Sequence, residues 1–291
     1  MKKGYVIAGH RVALTAPDSW FQGDALNNYR PFEADAEDAP LLSLTGVEAL
    51  GPADGFQEVF VSEEPGFPLF RILRGGDRWR FVVSPLPGKP VCSEFETGED
   101  FSDAALVLRD PALLRFAVDN ALMILFALRT ATEGTLEMHA SVISCDGKGY
   151  LFLGKSGTGK STHSRLWLEN IPGTELLNDD NPILRALPDG TVRVYGSPWS
   201  GKTPCYKAQD VPVGAVVRIE QAPFNRITRL PVLNAYASLY PSCSGFRPVR
   251  KVADGLHEAL SRIATVTPCY QLECLPDAEA ALLCHKTVAD G

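Results

Sequence analysis

Much that would place this chain quickly is missing from it. Its seven cysteines (Cys92, Cys145, Cys205, Cys243, Cys269, Cys274 and Cys284) are an odd set without a C-x-x-C pair. That argues against a zinc site or a disulfide framework and for free thiols in a reducing compartment. Basic charge is not in excess: 28 Lys and Arg face 35 Asp and Glu, a net charge of -7. Non-specific nucleic-acid binding normally shows as a basic patch or stripe, so that class is disfavoured. The most apolar run, Ala121 to Leu128, has eight residues, against the ~20 that a membrane span needs. Met1-Lys2-Lys3-Gly4 leads into a strand-like run broken by His10 and Arg11, not into the apolar core of a signal peptide. Internal repeats, low-complexity tracts, a Leu-Ser-Gly-Gly transporter signature and an arginine-rich lid segment are all lacking. These absences predict a soluble, cytoplasmic protein with no nucleic-acid and no membrane partner.

What is present is a well-stocked core and one conspicuous loop. The chain has 291 residues, 45% of them apolar, enough for two domains or one large one. At its centre stands Leu151-Phe152-Leu153-Gly154-Lys155-Ser156-Gly157-Thr158-Gly159-Lys160-Ser161-Thr162. It reads as a buried strand, a glycine-rich turn and a helix start, the context in which G-x-x-x-x-G-K-[ST] works as a phosphate cradle. At background frequencies the pattern arises by chance about once in a hundred chains of this length. Gly154, Gly157 and Gly159 free the backbone so that successive N–H groups can converge on phosphate oxygens at a helix N-terminus. Lys160 supplies a cation for the outer phosphates, and the Ser161 hydroxyl suits a magnesium ion that takes few protein oxygens. Ser156, Thr158 and Thr162 complete the predicted cradle.

Around the loop the pattern predicts a strand-rich region over 1–108 and a second domain over 109–291. In the first, Tyr5–Leu14 and Glu58–Val61 read as strands, and Leu69–Leu73 pairs with Trp79–Val83 as a hairpin. Segments 31–40 and 85–100 read as loops. A helix follows Asp110 and Pro111, apolar most of the way round. Glu137–Ser144 is a strand carrying His139, and a turn at Asp146-Gly147 returns the chain into the loop. A hairpin of this kind places His139 far down the neighbouring strand from the loop, unless the sheet's twist brings its strand end round. Beyond the helix from Lys160 to about Glu169, Glu175-Leu176-Leu177-Asn178-Asp179-Asp180-Asn181 is an apolar strand ending in two acids. Either those acids lie on the ligand edge of the sheet, or Asp-Asp-Asn-Pro is a plain turn. The loop Ser197 to Thr203, with Lys202 in its middle, either flanks the reacting phosphate or is a solvated connection. Strands at Val192–Tyr195, Val213–Ile219, Ile227–Leu230 and Tyr270–Cys274 alternate with helices near 231–239, 248–264 and 276–285. His257 and His285 read as surface residues without partners.

His139 fifteen residues before Gly154, the Gly-Lys-Ser-Gly-Thr-Gly-Lys-Ser run, and Asp179-Asp180 nineteen and twenty residues after Lys160 together resemble a known family. Over roughly 136–220 the chain is similar to the catalytic domain of HPr kinase/phosphorylase proteins, in the flavour found near peptide-modification genes. The resemblance implies an α/β fold: a P-loop domain of the HPr kinase and phosphoenolpyruvate carboxykinase type with a mixed sheet, preceded here by the strand-rich region. It implies that Lys160 and the loop amides bind ATP, and that Ser161 and Asp180 hold Mg2+. Asp179 then takes the proton of a serine hydroxyl, and His139 falls where the family keeps an active-site histidine. The family's Glu-Ile-Arg-Gly run stands here as Arg193-Val194-Tyr195-Gly196, so one metal carboxylate has no counterpart. The departure bears on a second magnesium site, on reverse phosphorolysis and on HPr as substrate, and the sequence leaves these three open. Members are often oligomeric, which extends a homo-oligomer to this chain.

The resulting expectation is an ATP- and Mg-dependent kinase acting on a hydroxyl, a serine of a protein or peptide, chiefly by positioning and charge neutralisation. Two alternatives stand beside it: a nucleotide-binding regulator without efficient catalysis, and a small-molecule kinase or carboxykinase-like enzyme.

Overall fold

The computed structural model describes residues 1–35, 39–62, 66–201 and 203–289. The chain is mixed α/β and divides into two compact units, Met1–Arg129 and Thr130–Gly291. The division falls at the last residue of the first long helix, where the sequence reading sets it before that helix at 108/109.

The first unit is a sheet of nine strands among the described residues. They are β1 (Lys2–Ile7), β2 (His10–Thr15), β3 (Glu33–Ala34), β4 (Leu42–Gly46), β5 (Gln57–Ser62), β6 (Leu69–Gly75), β7 (Arg78–Ser84), β8 (Ser93–Gly98) and β9 (Asp103–Leu108). Their order across the sheet is β3-β1-β2-β4-β9-β8-β7-β6-β5. The pairings β2/β4 and β4/β9 are parallel, and the rest are antiparallel. The predicted hairpin of β6 and β7 is present, with Leu73 opposite Arg80. Two readings are corrected. Tyr5–Leu14 is two strands, because Ala8 and Gly9 turn the chain at φ +48° and +77° and pair Ile7 with His10. The predicted loop 85–100 contains β8, whose Phe95 stacks on Phe81 at 4.6 Å. Of the predicted loop 31–40, residues 36–38 lie outside the described residues.

Helix α1 (Leu114–Thr130) closes this unit. Asp110 starts the turn ahead of it by accepting a hydrogen bond from the Ala112 N–H at 3.0 Å, as capping residues do. Asn28 and Tyr29 donate to Asp119 at 2.9 and 2.7 Å, and the His10 ring meets Phe126 edge-on at 5.7 Å. His10 is thus a buried histidine packed against Phe126. The stretch Pro111–Glu133 is long and apolar enough, by length and composition, to cross a membrane, which the eight-residue run alone did not suggest. Its Ala117, Val118, Ala121, Leu122 and Leu125 are fully buried, as in a core helix.

The second unit holds β10 (Thr135–Glu137), β11 (Ala140–Cys145), β12 (Lys148–Leu153), α2 (Lys160–Asn170), β13 (Glu175–Asp180), β14 (Ile183–Ala186), β15 (Val192–Tyr195), β16 (Asp210–Gln221), β17 (Arg226–Arg229), α3 (Val232–Leu239), α4 (Arg250–Val266), β18 (Cys269–Cys274) and α5 (Ala278–Ala289). The sheet runs β10-β14-β15-β16-β12-β11-β13, with β18 on β16 and β17 on β18. It is mixed: β12, β16 and β18 are parallel, and β11 is antiparallel to both its neighbours. The strand predicted over Glu137–Ser144 is interrupted at Met138-His139, and β14 went unread. Tyr150 to Leu153 are buried, so β12 is covered on both faces, as its unbroken apolar run requires. Phe152, Trp167, Val217, Leu272, Ala281 and Cys284 belong to one core that joins the sheet to α2 and α5.

Candidate functional site

The glycine-rich turn leaves β12 and delivers the chain into α2, as the spelling requires. Gly157 and Gly159 sit at φ +79° and +112°, where a side chain would strain the backbone. At Gly154 the limit is also space: a Cβ would lie 3.2 Å from Thr158 and 3.3 Å from the Ile219 carbonyl. Thr158 closes the loop through its hydroxyl and its N–H, which donate to the Lys155 carbonyl at 2.6 and 3.1 Å. Gln221 steadies it from β16, 3.4 and 3.3 Å from the Gly157 and Thr158 carbonyls. Helix α2 is fixed on the sheet by the Ser141–Ser164 hydroxyl pair at 2.6 Å and by Trp167, whose indole donates to His163 at 3.1 Å. Burial pulls His163 down to about 4, so its ring stays neutral and serves as an acceptor.

Lys160 is buried beneath the loop. Its Nζ lies 3.0 Å from the Gly154 carbonyl and 2.8 Å from His139 Nε2. Burial holds the ammonium below its ordinary range, Asp180 and Asp179 pull it back up, and Arg218 pushes it down. His139 therefore sits at the loop, not far down its strand. The reason is arithmetic: with the turn at Asp146-Gly147, Ala140 pairs with Leu153, and one step further sets His139 beside Gly154.

The two acids reach the same rim. Strand β13 pairs antiparallel with β11, which pairs antiparallel with β12, so β13 and β12 end at the same sheet edge without touching. Ser161 donates to Asp179 Oδ1 at 2.9 Å, while Asp180 Oδ1 stands 3.1 Å from His139 Nδ1. Successive strand residues normally face opposite ways. Asp180 escapes this by adopting φ +128°, a strained conformation for a residue with a side chain. The loop after β15 enforces it. The Gly201 N–H and the Ser200 hydroxyl donate to the Asp179 carbonyl at 2.6 and 3.1 Å, and Asp180 bridges Ser200. Asn178 and Ser197 tie the same turn, with Asn178 donating to the Trp199 carbonyl at 3.0 Å and Ser197 to the Asn181 carbonyl at 2.6 Å. Residues 197–201 thus brace the acids; Lys202 lies outside the described residues.

Two further groups went unread. Arg218 is the one cation in the apolar run of β16, opposite Leu153; it bonds Ser238 at 2.8 Å and lies 3.4 Å from the Ser242 hydroxyl. Glu137, two residues before His139, is buried, and its Oε2 has no hydrogen-bond partner. Burial pushes its carboxyl up to about 8; a weak Ser244 contact at 3.4 Å opposes the rise and the Asp180 charge adds to it. A lone charged residue inside an apolar strand was the available signal for both. Where the resemblance called for a further acid, Arg193 instead pairs with Asp210.

Two hollows flank the loop. One of about 520 Å³ is lined by Gly157, Gly159, Thr162, Leu166, Pro223 and Leu275. The other, about 290 Å³, is lined by Ser161, Arg165, Leu168, Leu176, Asp179 and Thr203. The donor set between them consists of loop N–H groups, one ammonium, a hydroxyl and carboxylates. Hard oxygens of this kind match magnesium, and the N–H groups and ammonium match phosphate.

No family model and no curated protein matches the chain. Among solved structures, the HPr(Ser) kinase/phosphatase from Coxiella burnetii is similar, with a TM-score of 0.30 and 13% identity. The likeness covers 53% of this chain and 94% of that one. So loose a likeness assigns no role to any residue, and function is read from the contacts above.

Proposed function

We propose that residues 130–291 bind a nucleoside triphosphate with magnesium and transfer its terminal phosphoryl group to a hydroxyl, most simply a serine of a protein or peptide. On this reading the unit is a P-loop domain of the HPr kinase and phosphoenolpyruvate carboxykinase type. The observation that carries it is the convergence of Lys160, His139, Asp180, Asp179 and Ser161 on the mouth of one glycine-rich loop.

The loop N–H groups and Lys160 hold the phosphates, with Lys160 leaving the Gly154 carbonyl to meet them. Ser161 and Asp179 are the residues that would hold magnesium, which when bound neutralises charge on the transferring group. Asp180 accepts the proton of the attacking hydroxyl, with His139 holding the carboxylate in place. This exchanges the roles that the resemblance implies for the two acids, because Ser161 bonds Asp179 and His139 faces Asp180. A neutral His139 satisfies both its neighbours, donating from Nδ1 to Asp180 and accepting at Nε2 from Lys160. The 520 Å³ hollow has room for the nucleoside, and the 290 Å³ hollow opens on the Ser161 and Asp179 side of the rim.

The test is transfer of the terminal phosphate of labelled ATP, with magnesium, to a serine peptide library and to small hydroxylated metabolites. Transfer to peptide that is lost in Lys160→Ala supports the reading. Transfer to a metabolite alone moves the substrate class. Tight nucleotide binding with no transfer to either makes the protein a regulator.

A further inference from the structure

We propose that Cys145, Asp146 and His285 form a site for a thiophilic divalent cation of the zinc type, apart from the phosphate loop. Cys145 ends β11, Asp146 begins the hairpin turn, and His285 projects from α5. One ligand atom from each lies within 4.8 Å of the other two. The sequence reading missed this because Cys145-Asp146 and His285 are separated by some 140 residues.

The surroundings favour a built site over a chance meeting. Cys145 is buried in the core that also contains Tyr150, Trp167 and Cys284, so its thiol is held by packing. The His285 ring is oriented by Trp167, whose edge-on contact has a centroid separation of 5.2 Å and an interplanar angle of 89°. Asp146 is exposed and His285 half-buried, which leaves an entry path from solvent. The donor chemistry selects the ion: thiolate with imidazole suits zinc, whereas magnesium and calcium take oxygen. Around a tetrahedral zinc with bonds of about 2.0–2.3 Å, donor atoms sit roughly 3.3–3.7 Å apart. Binding would draw the three donors, now within 4.8 Å of one another, inward by about 1 Å. Three protein ligands leave a fourth position for water. The ion would fasten the hairpin that feeds the phosphate loop to the last helix of the chain.

Cobalt titration of the full chain, followed by absorption, tests this without any assay of activity. One equivalent of Co2+ should bind with a thiolate-to-cobalt charge-transfer band that Zn2+ displaces. The band should vanish in Cys145→Ser, and the affinity should fall at least tenfold in His285→Gln. Zn2+ should raise the unfolding temperature of the wild type and not of His285→Gln. A missing band, a band that survives Cys145→Ser, or zinc stabilisation that persists in His285→Gln would each overturn the site.

Discussion

Asp180 and His139 face each other across 3.1 Å only because Asp180 abandons strand geometry. Its neighbour Asp179, one residue earlier, turns to Ser161 at 2.9 Å. Two acids adjacent in sequence thereby serve one rim. Strain of this size, about 1–3 kcal/mol, persists where the surroundings over-determine it and gathers at functional sites.

If Lys160 meets the phosphates, Lys160→Ala should weaken nucleotide binding by about ten- to a hundredfold, the equivalent of one or two charge-assisted hydrogen bonds. Calorimetric titration with magnesium and ATP measures this directly. Equal affinity in both proteins would contradict the phosphate cradle.

Removing the proton acceptor should act on turnover. Asp180→Asn is expected to slow transfer by about 10²–10⁴-fold, the usual worth of a positioned base, while nucleotide affinity changes only a few-fold. Asp179→Asn should instead raise the magnesium concentration needed for half-maximal rate. The reverse assignment of effects would restore the roles first read from the sequence.

Gly201 packs directly on the acids: an added Cβ would come within 3.0 Å of Asp180 Cβ and 3.2 Å of the Asp179 carbonyl. Gly201→Ala should therefore cost about 1–3 kcal/mol by overpacking and shift Asp180 away from His139. Denaturation midpoints together with single-turnover rates would show both effects. An alanine variant as stable and as fast as the wild type would mean that the 197–201 segment does not brace the acids.

Two buried groups give the second unit opposed pH dependences. Glu137 rises from 4.5 to about 8, so the folded state binds its proton more readily and the contribution to stability falls as pH climbs through that range. His163 drops from 6.5 to about 4; its contribution is complete above 6.5 and is lost as pH falls. Between pH 4.5 and 6.5 the two oppose each other. From 6.5 to 8 Glu137 acts alone, and one proton over that interval amounts to about 2 kcal/mol. Unfolding free energies from urea titrations at pH 6.5 and 8 should differ by that amount in the wild type and hardly at all in Glu137→Gln. An undiminished drop in the variant would place its source elsewhere.

Several features could be read before any coordinates. The loop, the helix after it, the β6–β7 hairpin and the Asp110 start of α1 are each written within a few residues, through glycine freedom, capping and apolar periodicity. Even His139 was within reach of counting, since residues equidistant from a two-residue turn face each other. The break at Ala8-Gly9 is hidden in an otherwise unbroken strand-like run, and the strand at 93–98 lies among acids and prolines that usually mark loops.

What the chain's spelling determined, then, is the local backbone: where amides can converge, where strands end in acids, and which faces must be covered. Only the tertiary structure decided which side chains meet. Asp179 with Ser161, Asp180 with His139, Glu137 with Ser244, and Cys145 with His285 all depend on sheet register and helix packing across 18 to 140 residues. Local propensity acts over one turn of chain, whereas these contacts are set by how the core closes, and no window of sequence contains that information.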